Sequence, residues 1–220
     1  MEQRLRRPAP LDASRVAFDA AFTALPLVAI LRGLDPDEAV AIGSALVEGG
    51  FRLIEVPLNS PEPLRSIERL VRALPDAFVG AGTVLTPAAV REVHAAGGRM
   101  VVAPNFDAAV VAESVRLGCV ALPGVATPSE AFAALAAGAA ALKLFPAEMI
   151  PPAAVKALRA VLSPQTRLLP VGGISLDNLA AYRSAGADGF GIGSSLYRPG
   201  VTADEVRERA RRWSATWATG

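Results

Sequence analysis

The amino-acid sequence predicts one α/β domain folded as a (β/α)8 TIM barrel. Along its 220 residues, eight short apolar runs with strand character alternate with helical patterns. The starts of these runs recur about every 20–27 residues, a spacing typical of repeated βα units. The runs are almost continuously apolar, as expected for parallel strands that are covered on both faces. Eight such units favour a closed barrel over an open sheet.

Each predicted strand is followed by a segment with helix signals. The strands are predicted at residues 27–32, 53–58, 77–82, 100–103, 120–123, 140–144, 167–171 and 189–193. The clearest helix start is Thr127-Pro128-Ser129-Glu130, which has the spacing of a capping box. Further helix starts are predicted in the segments 35–38, 60–63, 86–87, 105–107 and 175–177. We interpret residues 1–17 as an N-terminal extension and residues 18–220 as the barrel domain.

Composition excludes several classes of protein. The formal net charge of +1 gives no electrostatic reason to expect nucleic acid as a partner. The single cysteine, Cys119, excludes an internal disulfide and a multi-cysteine metal site. The sequence contains neither a secretory signal nor an apolar run long enough to span a bilayer, so we expect a cytoplasmic protein that does not bind membranes.

Lysine is rare in this chain, and one of its two lysines lies in an unusual place. Lys156 belongs to a polar helical segment, whereas Lys143 lies in an apolar run with strand character at residues 139–146. A desolvated amine loses its proton more readily, which a guanidinium cannot do. A lysine that forms a Schiff base with a carbonyl substrate needs this property. The alternative is a partly buried lysine held in an ion pair.

A carboxylate is predicted to face this amine. Glu55 is flanked by apolar residues on the second strand, where an unpaired carboxylate is costly. Lys143 lies on the sixth strand, four positions away in a ring of eight. The two side chains are therefore predicted to approach each other from opposite walls, close enough to share a ligand or a water molecule. The alternative is a structural ion pair of Glu55 with Arg32 or Lys143.

Two glycine-containing turns predict a phosphate site. Gly172-Gly173 follows the seventh strand and Gly193-Ser194 follows the eighth. The loops after these two strands commonly bind phosphate in TIM barrels, and N–H groups at helix N-termini favour anions. At the other strand ends, Arg32 is a candidate for binding a substrate carboxylate, assisted by the hydroxyl of Thr83.

The sequence does not predict a metal ion or another cofactor. The single histidine, His94, lies in a helical stretch away from the strand ends, and we interpret it as structural. Histidine and acidic residues do not form a cluster with the spacing of a metal site.

Five motifs together resemble the class I 2-keto-3-deoxy-6-phosphosugar acid aldolases. They are Ala29-Ile30-Leu31-Arg32-Gly33, Glu55-Val56-Pro57-Leu58, Gly80-Ala81-Gly82-Thr83-Val84, Lys143-Leu144-Phe145-Pro146 and Val171-Gly172-Gly173-Ile174. They occur in the family's order and with similar spacing between residues 27 and 198. The resemblance implies a (β/α)8 barrel, a homotrimer, and cleavage of a phosphorylated keto-deoxy acid to pyruvate and D-glyceraldehyde 3-phosphate.

The resemblance also implies a role for individual residues. Lys143 would form the Schiff base and Glu55 would transfer protons through a water molecule. The pyruvyl carboxylate would be held by Arg32 and Thr83, and the phosphate by the two glycine turns. The full set of predicted site residues is Lys143, Glu55, Arg32, Thr83, Pro104, Phe145, Val171, Gly172, Gly173, Gly193 and Ser194, of which Pro104 and Phe145 would form walls of the pocket.

Two positions resemble the 6-phosphogalactonate branch of that family. The phosphogluconate branch typically reads Thr-Leu-Arg-Thr where this chain reads Pro57-Leu58-Asn59-Ser60, and it typically has threonine where this chain has Val171. The two substrates differ only at C4. A hydroxyl-for-methyl change near that carbon would discriminate between them, because a site built to bond one epimer loses that bond with the other.

Several alternatives remain open at this point. The nearest are an aldolase for the gluconate epimer, one for both epimers, and a 4-hydroxy-2-oxoglutarate aldolase. A barrel that binds a phosphosugar without catalysis is an alternative from another class, although binding alone does not need an amine in an apolar strand. A metal-dependent aldolase or decarboxylase would need the ligand cluster that the sequence lacks.

Overall fold

The computed structural model describes residues 13–219, which form an α/β fold with a curled parallel sheet. The strands are β1 (Leu27–Ile30), β2 (Leu53–Pro57), β3 (Phe78–Gly82), β4 (Met100–Val102), β5 (Val120–Leu122), β6 (Gly124–Val125), β7 (Leu142–Leu144), β8 (Leu168–Pro170) and β9 (Phe190–Ile192). The helices are α1 (Ala13–Ala24), α2 (Ala39–Glu48), α3 (Pro63–Ala73), α4 (Pro87–Ala95), α5 (Ala108–Arg116), α6 (Pro128–Ala136), α7 (Pro152–Arg159), α8 (Leu179–Ser184) and α9 (Ala203–Thr219). None of these helices is long and apolar enough to cross a membrane.

The strands pair in parallel in two hydrogen-bonded segments. Six strands follow the order β5-β4-β3-β2-β1-β9, and three follow the order β6-β7-β8. Only Pro123 separates β5 from β6, and a proline has no N–H to donate to a ladder. A parallel bridge also joins Val171, directly after β8, to Gly191 in β9. The predicted alternation of strands and helices is confirmed, while the predicted single ring appears as two curled segments.

Alternate residues along the strands enter two separate cores. One core lies between the strands and the surrounding helices, and includes Ala29, Ile54 and Leu142. The other lies inside the curled sheet, and includes Val28 and Leu53. Because side chains alternate between the faces of a strand, Glu55, two residues after Leu53, points to the inside. Lys143 does so as well, since Ala141, two residues before it, belongs to the inner core.

Helix α1 closes the inner core at the N-terminal ends of the strands. Phe18 and Phe22 of this helix pack against Phe78 and other inner residues, and Phe18 is completely buried. The predicted domain boundary between residues 17 and 18 falls inside α1, most of the extension lying outside the described residues. Helix α1 thus covers the inner core at this end of the sheet.

Several helix starts have the predicted caps. The hydroxyl of Thr86 accepts a hydrogen bond from the N–H of Ala89, and Asp107 caps α5 in the same way. Thr127 and Glu130 form the complete predicted capping box. The start predicted at Ser175 is only partly correct: the first i−4 bond runs from Leu179 to Ser175, but regular helix begins at Leu179. Oδ1 of Asn178 accepts a hydrogen bond of 3.0 Å from the N–H of Ser175, which satisfies one of the backbone donors at the start of this segment.

Candidate active site

A cleft of about 580 Å³ opens at the C-terminal ends of the strands. Nine predicted site residues line it or the cavity beneath it. Eight line the cleft: Arg32, Lys143, Phe145, Val171, Gly172, Gly173, Gly193 and Ser194. Lys143 and Val171 also line the cavity below, where Glu55 is the ninth. The eight cleft residues come from β7 and from the segments after β1, β7, β8 and β9. The cleft therefore brings together side chains that are more than 160 positions apart in the sequence.

Glu55 and Lys143 meet beneath the cleft. Both line a small cavity inside the sheet, together with apolar residues of the inner core. Only 2% of Glu55 and 6% of Lys143 is exposed. The prediction that these two side chains face a common space from different walls is confirmed by this lining.

The carboxylate of Glu55 is not held in an ion pair. Among residues 13–219, no lysine or arginine nitrogen lies within 4.0 Å of it. Its Oε2 is buried without a hydrogen-bond partner in that part of the chain. A buried, unpartnered carboxylate oxygen is costly, so a purely structural role is a poor explanation for it. This geometry contradicts the alternative of a structural ion pair with Arg32 or Lys143.

Burial shifts both groups toward their neutral forms. Desolvation raises the pKa of Glu55, against the opposing attraction of Lys143 and then Arg32. Desolvation lowers the pKa of Lys143, against the opposing effect of Glu55 and with a small contribution from Arg32. Nζ of Lys143 lies 4.7 Å from the centre of the Phe145 ring, which forms one wall beside the amine. A larger fraction of Lys143 is therefore a neutral, nucleophilic amine than in an ordinary lysine.

The two glycine turns lie side by side at one end of the cleft. Both residues of Gly172-Gly173 have positive φ, +106° and +61°, which glycine adopts without strain. Ser195, next to Gly193-Ser194, donates a hydrogen bond to the carbonyl oxygen of Ile174 and ties the two turns together. The short helical turn predicted after Gly193 is confirmed, whereas the helix predicted directly after Gly172-Gly173 begins only at Leu179, six residues after Gly173. An anion bound at this end of the cleft would therefore contact the backbone of the two turns rather than the N-terminus of a long helix.

Arg32 is anchored at the mouth of the cleft by the β2 motif. Its guanidinium donates a hydrogen bond of 2.7 Å to Oδ1 of Asn59. The next residue, Ser60, accepts a bond of 2.9 Å from the N–H of Gly33. The segment that distinguishes this chain from the phosphogluconate pattern therefore fixes the end of β1 and the arginine on it.

Thr83 and Pro104 do not line the cleft or the small cavity. Both are half-buried near the ends of β3 and β4. Thr83 has a φ of +57°, an uncommon value for a β-branched residue. Such backbone strain concentrates at functional sites, and here it directly follows the strand that neighbours Glu55.

Three residues of the cleft were missed by the sequence reasoning. Glu148 lies over the Gly172-Gly173 turn, and Arg198 lines the same end of the cleft. Tyr197 is 2% exposed, and its hydroxyl has no hydrogen-bond partner among the described residues. Burial, together with the nearby carboxylates of Glu38 and Asp35, raises the pKa of Tyr197 to about 12. All three lie two to four residues after predicted strand-end motifs, and this proximity is the signal that would have indicated them.

Comparisons with known proteins show which family the chain belongs to. The family model described as "Aldolase: KDPG and KHG aldolase" matches residues 18–210. A protein of Rhizobium meliloti (strain 1021) named "Probable 2-dehydro-3-deoxy-6-phosphogalactonate aldolase" is 51% identical over 186 residues, covering 84% of this chain and 88% of its own. The "2-dehydro-3-deoxy-6-phosphogalactonate aldolase" of Escherichia coli (strain K12) is 45% identical over 189 residues, covering 86% and 92%.

A solved structure extends the similarity to three dimensions. The structure described as "Native KDPGal structure" superimposes with a TM-score of 0.87 at 43% sequence identity, covering 89% of this chain and 95% of that chain. The matched range, residues 18–210, includes all nine strands and every residue that lines the cleft. The chain belongs to the KDPG and KHG aldolase family.

Proposed function

We propose that this protein is a class I aldolase, a lyase that cleaves 2-dehydro-3-deoxy-6-phospho-D-galactonate to pyruvate and D-glyceraldehyde 3-phosphate. The observation that carries the proposal is a buried lysine that shares a cavity with a buried carboxylate to which it is not ion-paired. The names of the two relatives support the same substrate.

Lys143 is the nucleophile in this proposal. Its neutral Nζ attacks the C2 ketone, and loss of water from the carbinolamine gives a protonated imine. When the C3–C4 bond breaks, its electron pair moves toward the imine carbon and forms an enamine. Protonation of the enamine at C3 and addition of water to the imine then release pyruvate and regenerate the amine. The lowered pKa of Lys143 supports the first step.

Glu55 is the acid and base. As a protonated acid it donates a proton to the hydroxyl that leaves the carbinolamine as water. As a carboxylate it accepts the proton of the C4 hydroxyl while the C3–C4 bond breaks, directly or through a water molecule. Burial raises the pKa of Glu55, which supports this double role because the protonated acid then persists to higher pH than in an ordinary carboxyl group.

The remaining predicted residues bind the two charged ends of the substrate. Arg32, held by Asn59, is assigned to the pyruvyl carboxylate, with Thr83 and Pro104 at the adjacent strand ends and Phe145 as a wall beside the amine. Gly172, Gly173, Gly193 and Ser194 are assigned to the phosphate.

The strands are proposed to form a complete (β/α)8 barrel within residues 18–220. The parallel bridge between Val171 and Gly191 supports contact of β8 with β9. The single residue between β5 and β6 supports counting them as one strand, which reduces nine observed strands to eight. A ring of eight places β2 opposite β7 and explains why Glu55 and Lys143 share one cavity.

The galactonate epimer is preferred over the gluconate epimer in this proposal. Val171 lines both the cleft and the small cavity, between the phosphate turns and Lys143. It presents methyl groups where the phosphogluconate pattern has a hydroxyl. Cleavage of the gluconate epimer, or of 4-hydroxy-2-oxoglutarate, is the alternative function.

The active protein is proposed to be a homotrimer. Phe132 on α6 and Val115 on the neighbouring α5 are about half exposed, 51% and 50%. Phe106 and Leu135, also considered for the interface, are partly buried and pack against the outer core. Sedimentation equilibrium of the wild-type protein and of Phe132→Glu tests this assignment: the trimer should dissociate in the variant, and a monomeric wild-type protein would refute it.

The first experiment is a side-by-side assay of pyruvate release. Purified protein is given the 6-phosphogalactonate and 6-phosphogluconate keto-deoxy acids in the presence of a chelator. We expect rapid release from the galactonate, with a clear preference over the gluconate. Equal rates would keep the aldolase and remove the epimer assignment. Absence of release from both would favour a phosphosugar-binding barrel without catalysis.

A further inference from the structure

The space beside the Glu55 carboxylate exists because residue 82 is a glycine. Gly82 is the last residue of β3, and β3 pairs with β2, which carries Glu55. An ideal Cβ placed on Gly82 would lie 2.5 Å from Oε1, 2.7 Å from Cδ and 2.9 Å from Oε2 of Glu55. Non-bonded carbon and oxygen atoms do not approach this closely. Any side chain at position 82 would therefore have to displace the carboxylate or the strand.

The strand is much harder to displace than the carboxylate. The carbonyl oxygen of Gly82 accepts a hydrogen bond of 2.8 Å from the N–H of Leu58. Two residues later, the N–H of Val84 donates a bond of 3.1 Å to the carbonyl of Val102. Between them, Thr83 is already held at a positive φ of +57°. The backbone is thus fixed on both sides, and a methyl group at position 82 would push on the side chain of Glu55.

Hydrogen bonds do not fix the carboxylate in its place. Oε2 of Glu55 has no partner among residues 13–219, and no cation of that range lies within 4.0 Å of it. Its position depends on the shape of the surrounding wall. Gly82 supplies the part of that wall which all three atoms of the carboxylate approach.

We propose that Gly82 is a positioning residue for the Glu55 carboxylate. Its missing side chain lets the carboxylate lie against β3, which keeps the carboxylate from filling the small cavity that Glu55 shares with Lys143. This proposal rests on the acid–base role of Glu55 in the proposed function. Gly82→Ala would push the carboxylate into that space and out of its proton-transfer geometry.

The test begins with the kinetics of Gly82→Ala. We expect kcat/KM for the phosphorylated keto-deoxy acid to fall about 10²-fold, the scale of a misplacement of about 1 Å at a reacting group. Borohydride trapping of pyruvate after long incubation should still label the protein, since Lys143 is unchanged. A fall in kcat/KM of less than threefold in a folded variant would overturn the proposal.

A double-mutant cycle separates positioning from general damage. If Gly82 acts through the carboxylate, Gly82→Ala in the Glu55→Gln background should change kcat by less than about twofold, because the acid–base function is already lost. If the two losses instead multiply, Gly82 acts on something other than Glu55 and the proposal is wrong.

Stability gives a second and independent cycle. Glu55→Asp withdraws the carboxylate by one methylene, so the double variant Glu55→Asp with Gly82→Ala should have the same Tm as Glu55→Asp alone. Gly82→Ala by itself should lower Tm. If it fails to fold, the double variant decides: folding of the double variant supports the proposal, and failure shows that the glycine serves the backbone.

Gly43→Ala is the matched control. A Cβ at Gly43 would meet the ends of two leucine side chains, Leu70 at 2.4 Å and Leu74 at 2.7 Å, far from the cleft. It should change stability but leave kcat/KM within about twofold. The proposed function is tested by the wild-type protein alone: an inactive wild type refutes that function, whereas an active wild type with an unaffected Gly82→Ala refutes only the positioning role.

Discussion

The two ends of the inner core are built on opposite principles. At the N-terminal end, aromatic rings of α1 and β3 fill the interior. The centre of the Phe18 ring lies 5.7 Å from the ring centres of both Phe22 and Phe78. The charges nearby are neutralised, since Arg167 forms an ion pair with Asp19 and stacks over Phe22 at 4.5 Å. At the C-terminal end, the same interior holds Glu55 and Lys143 in a small cavity without an ion pair between them.

This difference separates stability from function within one core. A closed aromatic plug contributes hydrophobic free energy and carries no unsatisfied group. An unpartnered carboxylate and a desolvated amine cost free energy in the folded state, which is the usual consequence of preparing a site for catalysis. Substitutions at the two ends should therefore have opposite consequences for the stability and the activity of the protein.

The largest expected effect is at Lys143. Lys143→Arg keeps a positive charge but removes the amine that can lose its proton, so we expect turnover to fall by more than about 10⁴-fold. Borohydride with pyruvate should no longer label the protein, as measured by intact mass. A normal circular dichroism spectrum serves as the control for folding, and activity near that of the wild type would refute the Schiff-base assignment.

Glu55 comes next. Glu55→Gln keeps the shape of the side chain and removes proton transfer, so we expect kcat to fall about 10²–10⁴-fold. The imine with pyruvate should still form slowly and remain trappable. Loss of trapping together with unchanged folding would mean that Glu55 is needed for the amine itself rather than for the proton transfers.

At the opposite end, Phe18→Ala should affect stability alone. Removal of a completely buried ring from a core costs about 3–5 kcal/mol. Urea unfolding should show this loss, while kcat at a temperature well below Tm stays within about twofold of the wild type. A fall in kcat comparable with that of Glu55→Gln would show that the two ends are coupled.

The pH dependence of stability should differ between the two ends. Because burial raises the pKa of Glu55, the folded state holds that proton more tightly, and this stability is lost as pH rises through the folded pKa. Glu55→Gln should therefore flatten the decrease in unfolding free energy that begins above the ordinary glutamate pKa of 4.5. The lowered pKa of Lys143 has the opposite sign, so stability should rise with pH and Lys143→Met should remove that rise. Phe18→Ala should lower stability equally at every pH.

The sequence predicted which elements and side chains form the C-terminal end of the inner core, but it did not predict individual hydrogen bonds there. The alternation of strands and helices followed from the hydrophobic runs, and the interior placement of Glu55 and Lys143 followed from their positions within two of those runs, which are local signals. The two bonds of Asn178 before α8, one from the N–H of Ser175 and one to the carbonyl of Gly173, were not predicted.

Contacts between segments that are distant in the sequence were also not predicted. The bond of Arg32 to Asn59 joins two strand ends, and the close fit of Gly82 against Glu55 depends on the register between β2 and β3. The glycine at position 82 was visible in the sequence as part of a motif. The structure shows why a glycine is needed there: the Glu55 carboxylate lies where the side chain of any other residue would be.

The smallest expected effect sharpens the catalytic end itself. Val171 lies between the phosphate turns and the cavity of Lys143, and it is almost completely buried. Val171→Thr adds a hydroxyl with little change in shape. We expect the ratio of kcat/KM for the galactonate and gluconate epimers to shift about tenfold toward the gluconate, because the new hydroxyl can bond the C4 oxygen of that epimer. Val28→Thr, at a strand position lining the small cavity from another wall, is the control and should lower stability without changing the ratio. If both variants leave the ratio unchanged, the epimer preference resides in the Asn59 segment, whose bond to Arg32 would then set the position of the substrate.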